Sequence, residues 1–140
     1  MIAIDTNIIS EADKPLPSRI VVEWLNTTDS SALYLPTPVI SELSAGAEEF
    51  KRKTGSSRHI HALAATLERF GSNVIEFDLY AAVKFGEVFS RRNGMGRPIS
   101  RLDAMIAAIC LVHGATLATR NVRDFDGLGL KLVNPFEGKA

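Results

Sequence analysis

The chain has 140 residues, close to the size of one average domain. Hydrophobic residues make up 46% and charged residues 23%, as in a folded globular protein and unlike a disordered one. Sixteen basic residues balance sixteen acidic ones, which excludes a strongly basic nucleic-acid binder and a polyacidic tail. We therefore expect a single domain over residues 1–140, which would reach any nucleic acid through a local site.

The sequence also indicates whether the chain contains a membrane segment, a signal peptide or a disulfide. The longest uninterrupted apolar run, residues 104–112, has nine residues, against about 20 for a membrane helix. The N-terminal apolar run is interrupted by Asp5, and the first basic residue of the chain is Lys14. This pattern is unlike a secretory signal peptide. The single cysteine, Cys110, can form neither an internal disulfide nor a multi-cysteine zinc site. These features predict no membrane segment and a cytoplasmic location.

The first half of the chain predicts short strands followed by helices. The predicted elements are a strand at 2–4, a polar turn at 5–7, a helix at 18–26, a strand at 33–35, a helix from residue 37 and a helix at 56–70. Ser18 and Thr37 are suitable N-caps. Pro38 suits the first turn of a helix, because the N–H that proline lacks would have no partner there. Gly71 can end the last of these helices.

The second half continues the alternation of strands and helices. It predicts a strand at 74–77, a helix after Asp78 that frays near 91–94, a helix from Ser100 to Gly114, and strands at 116–118 and 130–133. The helix after Ser100 is apolar nearly all round, which predicts a central, buried position. The alternation as a whole predicts an α/β domain with a mostly parallel sheet. Ligands of such sheets bind beyond the carboxyl ends of the strands.

Several oxygen-bearing side chains stand where solvated surface charge is unusual. Asp5 ends the first strand, Glu42 lies in the second turn of the second predicted helix, and Asp103 lies in the first turn of the most apolar helix. Asn121 follows the fourth predicted strand, and Asp124 comes close behind. Because parallel strands end at one edge of a sheet, donors from four elements could converge there.

Such a set of donors favours a hard cation. Mg²⁺ and Mn²⁺ prefer oxygen ligands, lower the pKa of bound water and neutralise charge on a phosphodiester. Each residue also has a plainer interpretation: Asp5 as a turn cap, Asp103 as a helix-capping residue, Glu42 as a solvated helix residue and Asn121 as a turn residue. Their joint placement favours the metal site.

Four short motifs resemble those of PIN domains, and they occur in the same order. They are residues 4–7, 41–43, 103–108 and 118–125. Together these motifs span nearly the whole chain. The sequence is especially similar to the FitB-like branch of the VapC-type toxins, which belong to bacterial toxin–antitoxin pairs. The resemblance implies a PIN-like three-layer α/β/α fold with a mostly parallel central sheet.

The resemblance also implies an activity and a set of site residues. It implies a Mg²⁺- or Mn²⁺-dependent endoribonuclease that hydrolyses RNA phosphodiesters and acts as the toxin of a type II toxin–antitoxin module. Asp5, Glu42, Asp103 and Asn121 would be catalytic, and the first three would hold the metal. The family often has an aspartate at the position of Asn121. The fourth ligand would therefore be Asn121 through water or Asp124 in its place, or a second metal would bind weakly.

Substrate and partner expectations complete this interpretation. Thr6 and Thr119, beside the acids, would contact the RNA. A basic stretch of Lys84, Arg91, Arg92, Arg97 and Arg101 runs towards Asp103, and we expect Arg97 and Arg101 to bind phosphate. By resemblance, a small VapB-like antitoxin would inhibit the protein, which would be a homodimer.

Three other interpretations are weighed against this one. The Asn121 departure motivates a catalytically weakened PIN scaffold that binds RNA or a protein partner without cleaving. A haloacid-dehalogenase-type phosphatase would need a second acid two residues after Asp5, where this chain has Asn7. Histidine acid–base catalysis would use His59 and His61, but side chains two residues apart on a helix point to different faces.

Overall fold

The computed structural model describes residues 1–137. Its strands are β1 (Ile2–Ile4), β2 (Leu33–Pro36), β3 (Val74–Ile75), β4 (Thr116–Ala118) and β5 (Lys131–Val133). Its α-helices are α1 (Thr6–Ala12), α2 (Arg19–Thr27), α3 (Thr37–Thr54), α4 (Arg58–Phe70), α5 (Leu79–Gly94) and α6 (Arg101–His113). All strand pairs are parallel, so the predicted α/β class with a parallel central sheet is confirmed.

The order of the strands creates a switch point at the centre of the sheet. The order is β3-β2-β1-β4-β5, so the chain builds outward from β1 to β3 and then returns to the other side of β1. The right-handed crossovers that parallel strands strongly prefer therefore place α1–α4 and α5–α6 on opposite faces. Ligands of open α/β sheets bind where the direction of building reverses, which here is between β1 and β4.

The core lies between the sheet and the inner faces of the helices. Ala3, Ile4, Leu35 and Leu117 of the strands are completely buried. Helix α6 is buried on nearly every side, as its sequence predicts, and its buried residues are Ala104, Ile106, Ala107, Ala108, Ile109 and Cys110. Full burial of a Leu or Ile side chain contributes about 1.5–3 kcal/mol, so this helix anchors the domain.

Most predicted helix ends are observed. The side chains of Ser18, Asp78 and Ser100 accept backbone N–H groups as N-caps of α2, α5 and α6. Gly71 and Gly114 follow α4 and α6 with φ values of 56° and 63°, which side chains other than glycine adopt at a cost. Among residues 1–137, no helix combines the length and apolar character needed to cross a membrane.

Three local predictions are wrong. The polar turn predicted at residues 5–7 is the start of helix α1, because Asp5 accepts the N–H of Thr6 and caps the helix. Helix α1 has only seven residues and begins with polar ones, so its apolar residues are too few to show a helical periodicity. Thr37 does not cap α3; its hydroxyl accepts the N–H of Phe77 at 3.0 Å instead. This bond joins the chain after β3 to α3, and β3 ends at Ile75 rather than at residue 77.

Candidate active site

The carboxyl ends of β1 and β4 open into a pocket that we call the acidic pocket. Ile4 pairs with Ala118, and the N–H of Asp5 donates to the carbonyl of Ala118 at 3.0 Å. The pocket has a volume of about 620 Å³, and its polar lining includes Asp5, Thr6, Asn7, Glu42, Asp103 and Asn121. The structure therefore brings together the four side chains that the sequence predicts to converge, at the switch point of the sheet.

Asp5 is almost completely buried and accepts three hydrogen bonds. Its Oδ1 accepts the N–H of Thr6 at 2.8 Å, and its Oδ2 accepts Asn7 Nδ2 at 3.1 Å and the Thr119 hydroxyl at 2.7 Å. Burial raises the pKa of the Asp5 carboxyl, the bonds from Thr119 and Thr6 oppose the shift, and the charge of Glu42 reinforces it. The carboxylate is held in one orientation at a place where a cation would stabilise its charge.

The two threonines beside the acids differ in what they can contact. Thr119 is completely buried; its hydroxyl donates to Asp5 and accepts the N–H of Asn121 at 3.1 Å. It therefore orients Asp5, and its contact with substrate stays a prediction. The buried Thr6 Oγ1 has no hydrogen-bond partner within residues 1–137. Thr6 also lines the acidic pocket, so a polar atom without a protein partner lies in the pocket wall.

Asp103 faces the same pocket from the first turn of α6. Burial and, after it, the charge of Asp5 raise the pKa of its carboxyl to about 6; a hydrogen bond with Ser100 opposes the shift, and the charges of Asp124 and Glu42 add to it. Its own N–H donates to the Ser100 hydroxyl at 3.1 Å, so Ser100 caps the helix as predicted. Asp103 lies at this capped end of α6 and adds negative charge to the acidic pocket.

This raised pKa gives a stability prediction. The folded chain holds the Asp103 proton more tightly than the unfolded chain does, whose pKa is about 3.9. The stability contributed by this residue is therefore present below about pH 4 and lost as the pH rises through about 6. After a discount for partial exposure, Asp103→Asn should raise the free energy of unfolding by about 1 kcal/mol at pH 7.5 and leave it unchanged at pH 4.

Urea unfolding in EDTA at the two pH values measures this effect. Glu48→Gln is the matched control, because Glu48 is an exposed acid of α3 that lies outside the pocket. A wild-type chain as stable as Asp103→Asn at pH 7.5 would show that Asp103 carries no electrostatic penalty.

The donor set fits a hard cation, with a limit on how many carboxylates bind it directly. In the described part of the chain, no three Asp, Glu, His or Cys side chains are close enough to hold one ion. Mg²⁺ is commonly bound by one or two carboxylates and several waters. Asp5 and Asp103 could supply these carboxylates, and Glu42, which is exposed at the rim, could act through water. The unpartnered Thr6 hydroxyl is a further polar group for such a hydrated ion.

The predicted basic contacts lie outside the acidic pocket. Arg97 pairs with Asp126 at 3.6 Å and donates to a backbone carbonyl, and the Arg101 guanidinium lies over the Phe89 ring at 5.2 Å. Both arginines are exposed and neither lines the pocket, so their contact with substrate stays a prediction. Asp124 lines a smaller neighbouring pocket that shares Asp103 with the acidic pocket. The two pockets therefore meet at Asp103, where Asp124 adds negative charge.

The place of Arg92 in the basic stretch suggests a solvated basic face, but the structure shows that Arg92 is buried. It is 4% exposed, and its guanidinium donates to the carbonyls of Arg97, Asp124 and Asp126 at 2.7, 2.5 and 3.2 Å. It therefore joins the segment before α6 to the segment after β4. Sequence reasoning missed this role because Arg92 stands beside the exposed Arg91 and both belong to one run of charges.

A groove between α1, α3 and α4 continues from the acidic pocket. Its first part, about 290 Å³, shares Thr6 and Glu42 with the pocket and has Leu43, Phe50 and Leu63 in its wall. Its second part, about 280 Å³, reaches the start of β2. We call this surface the α1–α4 groove. The sequence gives no signal for it, because apolar stripes on helices ordinarily indicate core.

Comparisons with known proteins agree with this fold. The sequence model of the PIN domain matches residues 2–129. The chain is 33% identical to "Plasmid stability protein StbB" of Pseudomonas syringae pv. tomato and 32% identical to "VapC ribonuclease Y4jK" of Sinorhizobium fredii; each match covers 98% of this chain and 99% of the relative. The crystal structure of FitAcB from Neisseria gonorrhoeae superposes with a TM-score of 0.84 and 29% identity, over 97% of this chain and 99% of that one.

Fold and site together define a class of protein. A parallel sheet whose switch point is lined by carboxylates from β1, α3 and α6 is an arrangement suited to metal-assisted chemistry on phosphates. With the sequence match over residues 2–129, the chain belongs to the PIN domain family.

Proposed function

We propose that this chain is a divalent-metal-dependent endoribonuclease and the toxin of a type II toxin–antitoxin module. The observation that carries the proposal is the acidic pocket, in which Asp5, Glu42, Asp103 and Asn121 come together from four separate elements. The names of the relatives support it, because they include a VapC ribonuclease and a plasmid stability protein. The order of the four motifs and the PIN fold support it as well.

The chain's own residues divide the work of the reaction. Bound Mg²⁺ or Mn²⁺ would lower the pKa of water and neutralise phosphate charge. Asp5 and Asp103 would hold the ion, with Glu42 acting through water, while Thr119 and Asn7 keep Asp5 oriented. The Asn121 amide, unlike an aspartate, can donate hydrogen bonds, and it suits a phosphate oxygen or a water at the rim.

One experiment distinguishes a nuclease, which cuts RNA, from a catalytically weakened scaffold, which only binds it. Purified protein is incubated with a labelled RNA in Mg²⁺, and samples are analysed on both denaturing and native gels. We expect the RNA to be cut. RNA that is shifted on the native gel but intact on the denaturing gel would favour the non-cleaving scaffold, to which Asn121 in place of an acid points.

The α1–α4 groove is a suitable surface for the proposed inhibitor. An antitoxin segment could place apolar side chains against Leu43, Phe50 and Leu63 and a cationic side chain at Glu42, where the groove meets the acidic pocket. Arginine suits the cationic position because its guanidinium pairs with carboxylates in two-point contacts. Inhibition would then follow from occupation of the site itself.

A substitution in the groove tests the partner proposal. The complex with the small protein from the adjacent reading frame should cleave RNA at least about tenfold more slowly than the free chain. Leu63→Glu should weaken this complex about tenfold or more, because it places a charge against an apolar contact surface. Leu67→Glu is the matched control, since Leu67 lies one turn further along α4, partly exposed and outside the groove lining. A complex that cleaves as fast as the free chain would contradict inhibition by this partner.

The predicted homodimer also stays a prediction. Leu79, Tyr80 and Val83 of α5 are 74%, 72% and 66% exposed, and apolar side chains grouped in this way are common at protein interfaces.

A further inference from the structure

The side chain of Asn7 joins the two strands whose ends form the acidic pocket. Asn7 lies in the first turn of α1, just after β1. Its Nδ2 donates to Asp5 Oδ2 at 3.1 Å and approaches Thr119 Oγ1 at 3.4 Å, and its Oδ1 accepts the N–H of Arg120 at 3.0 Å. One carboxamide therefore contacts the residue after β1 and the two residues that follow β4.

This network gives the Thr119 hydroxyl a single direction. A hydroxyl has one hydrogen and two lone pairs. The N–H of Asn121 can only donate, and it donates to Thr119 Oγ1 at 3.1 Å. A carboxylate oxygen can only accept, so the Thr119 hydrogen points to Asp5 Oδ2 at 2.7 Å, and the longer approach of Asn7 Nδ2, at 3.4 Å, adds to the lone-pair side of the hydroxyl.

The same accounting applies to the Asp5 carboxylate. A carboxylate offers about four lone-pair positions, two on each oxygen. Asn7 and Thr119 occupy the two on Oδ2, and the N–H of Thr6 occupies one on Oδ1 at 2.8 Å. The network saturates Oδ2 and leaves the remaining acceptor position on Oδ1.

We propose that Asn7 is a positioning residue, which fixes Asp5 Oδ2 and the start of the loop after β4 so that Oδ1 is the oxygen left for a divalent cation. The inference rests on the proposed function, in which Asp5 is a metal ligand. Asparagine meets both demands of the position, because its amide donates to Asp5 and its carbonyl accepts from Arg120. Alanine would provide neither group, and aspartate would place a second negative charge against Asp5.

Mn²⁺ binding to the purified chain without RNA tests the proposal. By isothermal titration, Asn7→Ala should bind Mn²⁺ about tenfold more weakly than the wild type, as for other groups that orient metal ligands. Hydrogen exchange at the Arg120 N–H should also become faster, because its acceptor is lost. Asn26→Ala, at an exposed asparagine of α2, is the control and should bind Mn²⁺ like the wild type.

A second pair of variants keeps the test sharp if Asn7→Ala is poorly folded. Thr119→Val retains the shape of the side chain but removes the hydroxyl, and should also weaken Mn²⁺ binding. Thr119→Ser retains the hydroxyl and should preserve wild-type affinity. This pattern would show that the hydrogen bonds on Asp5 Oδ2, to which Asn7 contributes, set the affinity for Mn²⁺. It supports the positioning role even if the wild-type chain leaves RNA intact, in which case only the proposed nuclease function fails.

The contrary results are equally distinct. If Asn7→Ala melts at a lower temperature but binds Mn²⁺ normally well below its Tm, Asn7 is merely structural and the positioning role is wrong. If the wild type cleaves RNA in that case, the nuclease function still stands. A wild-type chain that binds no Mn²⁺ would overturn both proposals.

Discussion

Asp103→Asn is expected to lower RNA cleavage by about 1000-fold while leaving the chain folded and slightly more stable without metal. Asp103 lies beside Asp5 at the pocket, and the loss of one of two carboxylates that hold a cation removes most of its binding and of its effect on the phosphate. The change is nearly isosteric and relieves the penalty that raises the pKa of Asp103 to about 6. Lost activity together with raised stability would separate a functional carboxylate from a structural one.

Asp5→Asn should lose activity to a similar extent, but it should lower the free energy of unfolding. Asp5 accepts three hydrogen bonds on its two oxygens. An amide would replace one of these oxygens with an NH2 group, which would face a donor. Asp126→Asn, at an exposed position outside the acidic pocket, is the control and should remain active. Initial rates on a labelled RNA, with thermal melting of each variant, measure both quantities. Full activity in both Asp5→Asn and Asp103→Asn would remove the basis for the site.

Arg92→Met should lower the free energy of unfolding by about 3 kcal/mol. The substitution removes three hydrogen bonds that the buried guanidinium donates to the carbonyls of Arg97, Asp124 and Asp126, and a hydrogen bond of a charged group contributes about 1.5–3 kcal/mol, with incomplete additivity. Methionine fills part of the space, so the loss of hydrogen bonds dominates.

The neighbouring residue provides the control for this prediction. Arg91→Met changes the same charge on the exposed side of α5 and should alter stability by less than about 0.5 kcal/mol. Denaturant unfolding of the two variants gives the comparison directly. Equal stabilities of the two variants would show that the hydrogen bonds of Arg92 do not stabilise the fold.

Local features of the fold could be predicted where one residue determines the conformation. Ser18 and Ser100 cap their helices, and Gly114 ends α6 with a positive φ, because cap chemistry acts within a few residues. Helix α1 could not be predicted, since it has only seven residues and its start at Asp5–Asn7 is polar. Thr37 is a suitable N-cap by type, but its hydroxyl is used by Phe77, which is forty positions away in sequence.

The acidic side chains of the site were predictable, and the groups that surround them were not. Asp5 and Asp103 each follow or begin an apolar element, which places them at the edge of a parallel sheet by topology alone. The burial of Thr119 and the role of Arg92 depend on contacts made by chain segments distant in sequence. The α1–α4 groove arises between three helices whose apolar stripes individually indicate core.

The chemistry of the RNA ends tests the central claim most directly. Wild-type protein is incubated with an end-labelled RNA in EDTA, and then with added Mg²⁺ or Mn²⁺, and the new ends are identified. Hydrolysis assisted by a metal does not need the ribose 2′-hydroxyl, so we expect no cleavage in EDTA, restored cleavage with either ion, and products with 5′-phosphate and 3′-hydroxyl ends. Cleavage that persists in EDTA and leaves 2′,3′-cyclic phosphate ends would contradict the account and direct attention to His59, His61 and His113.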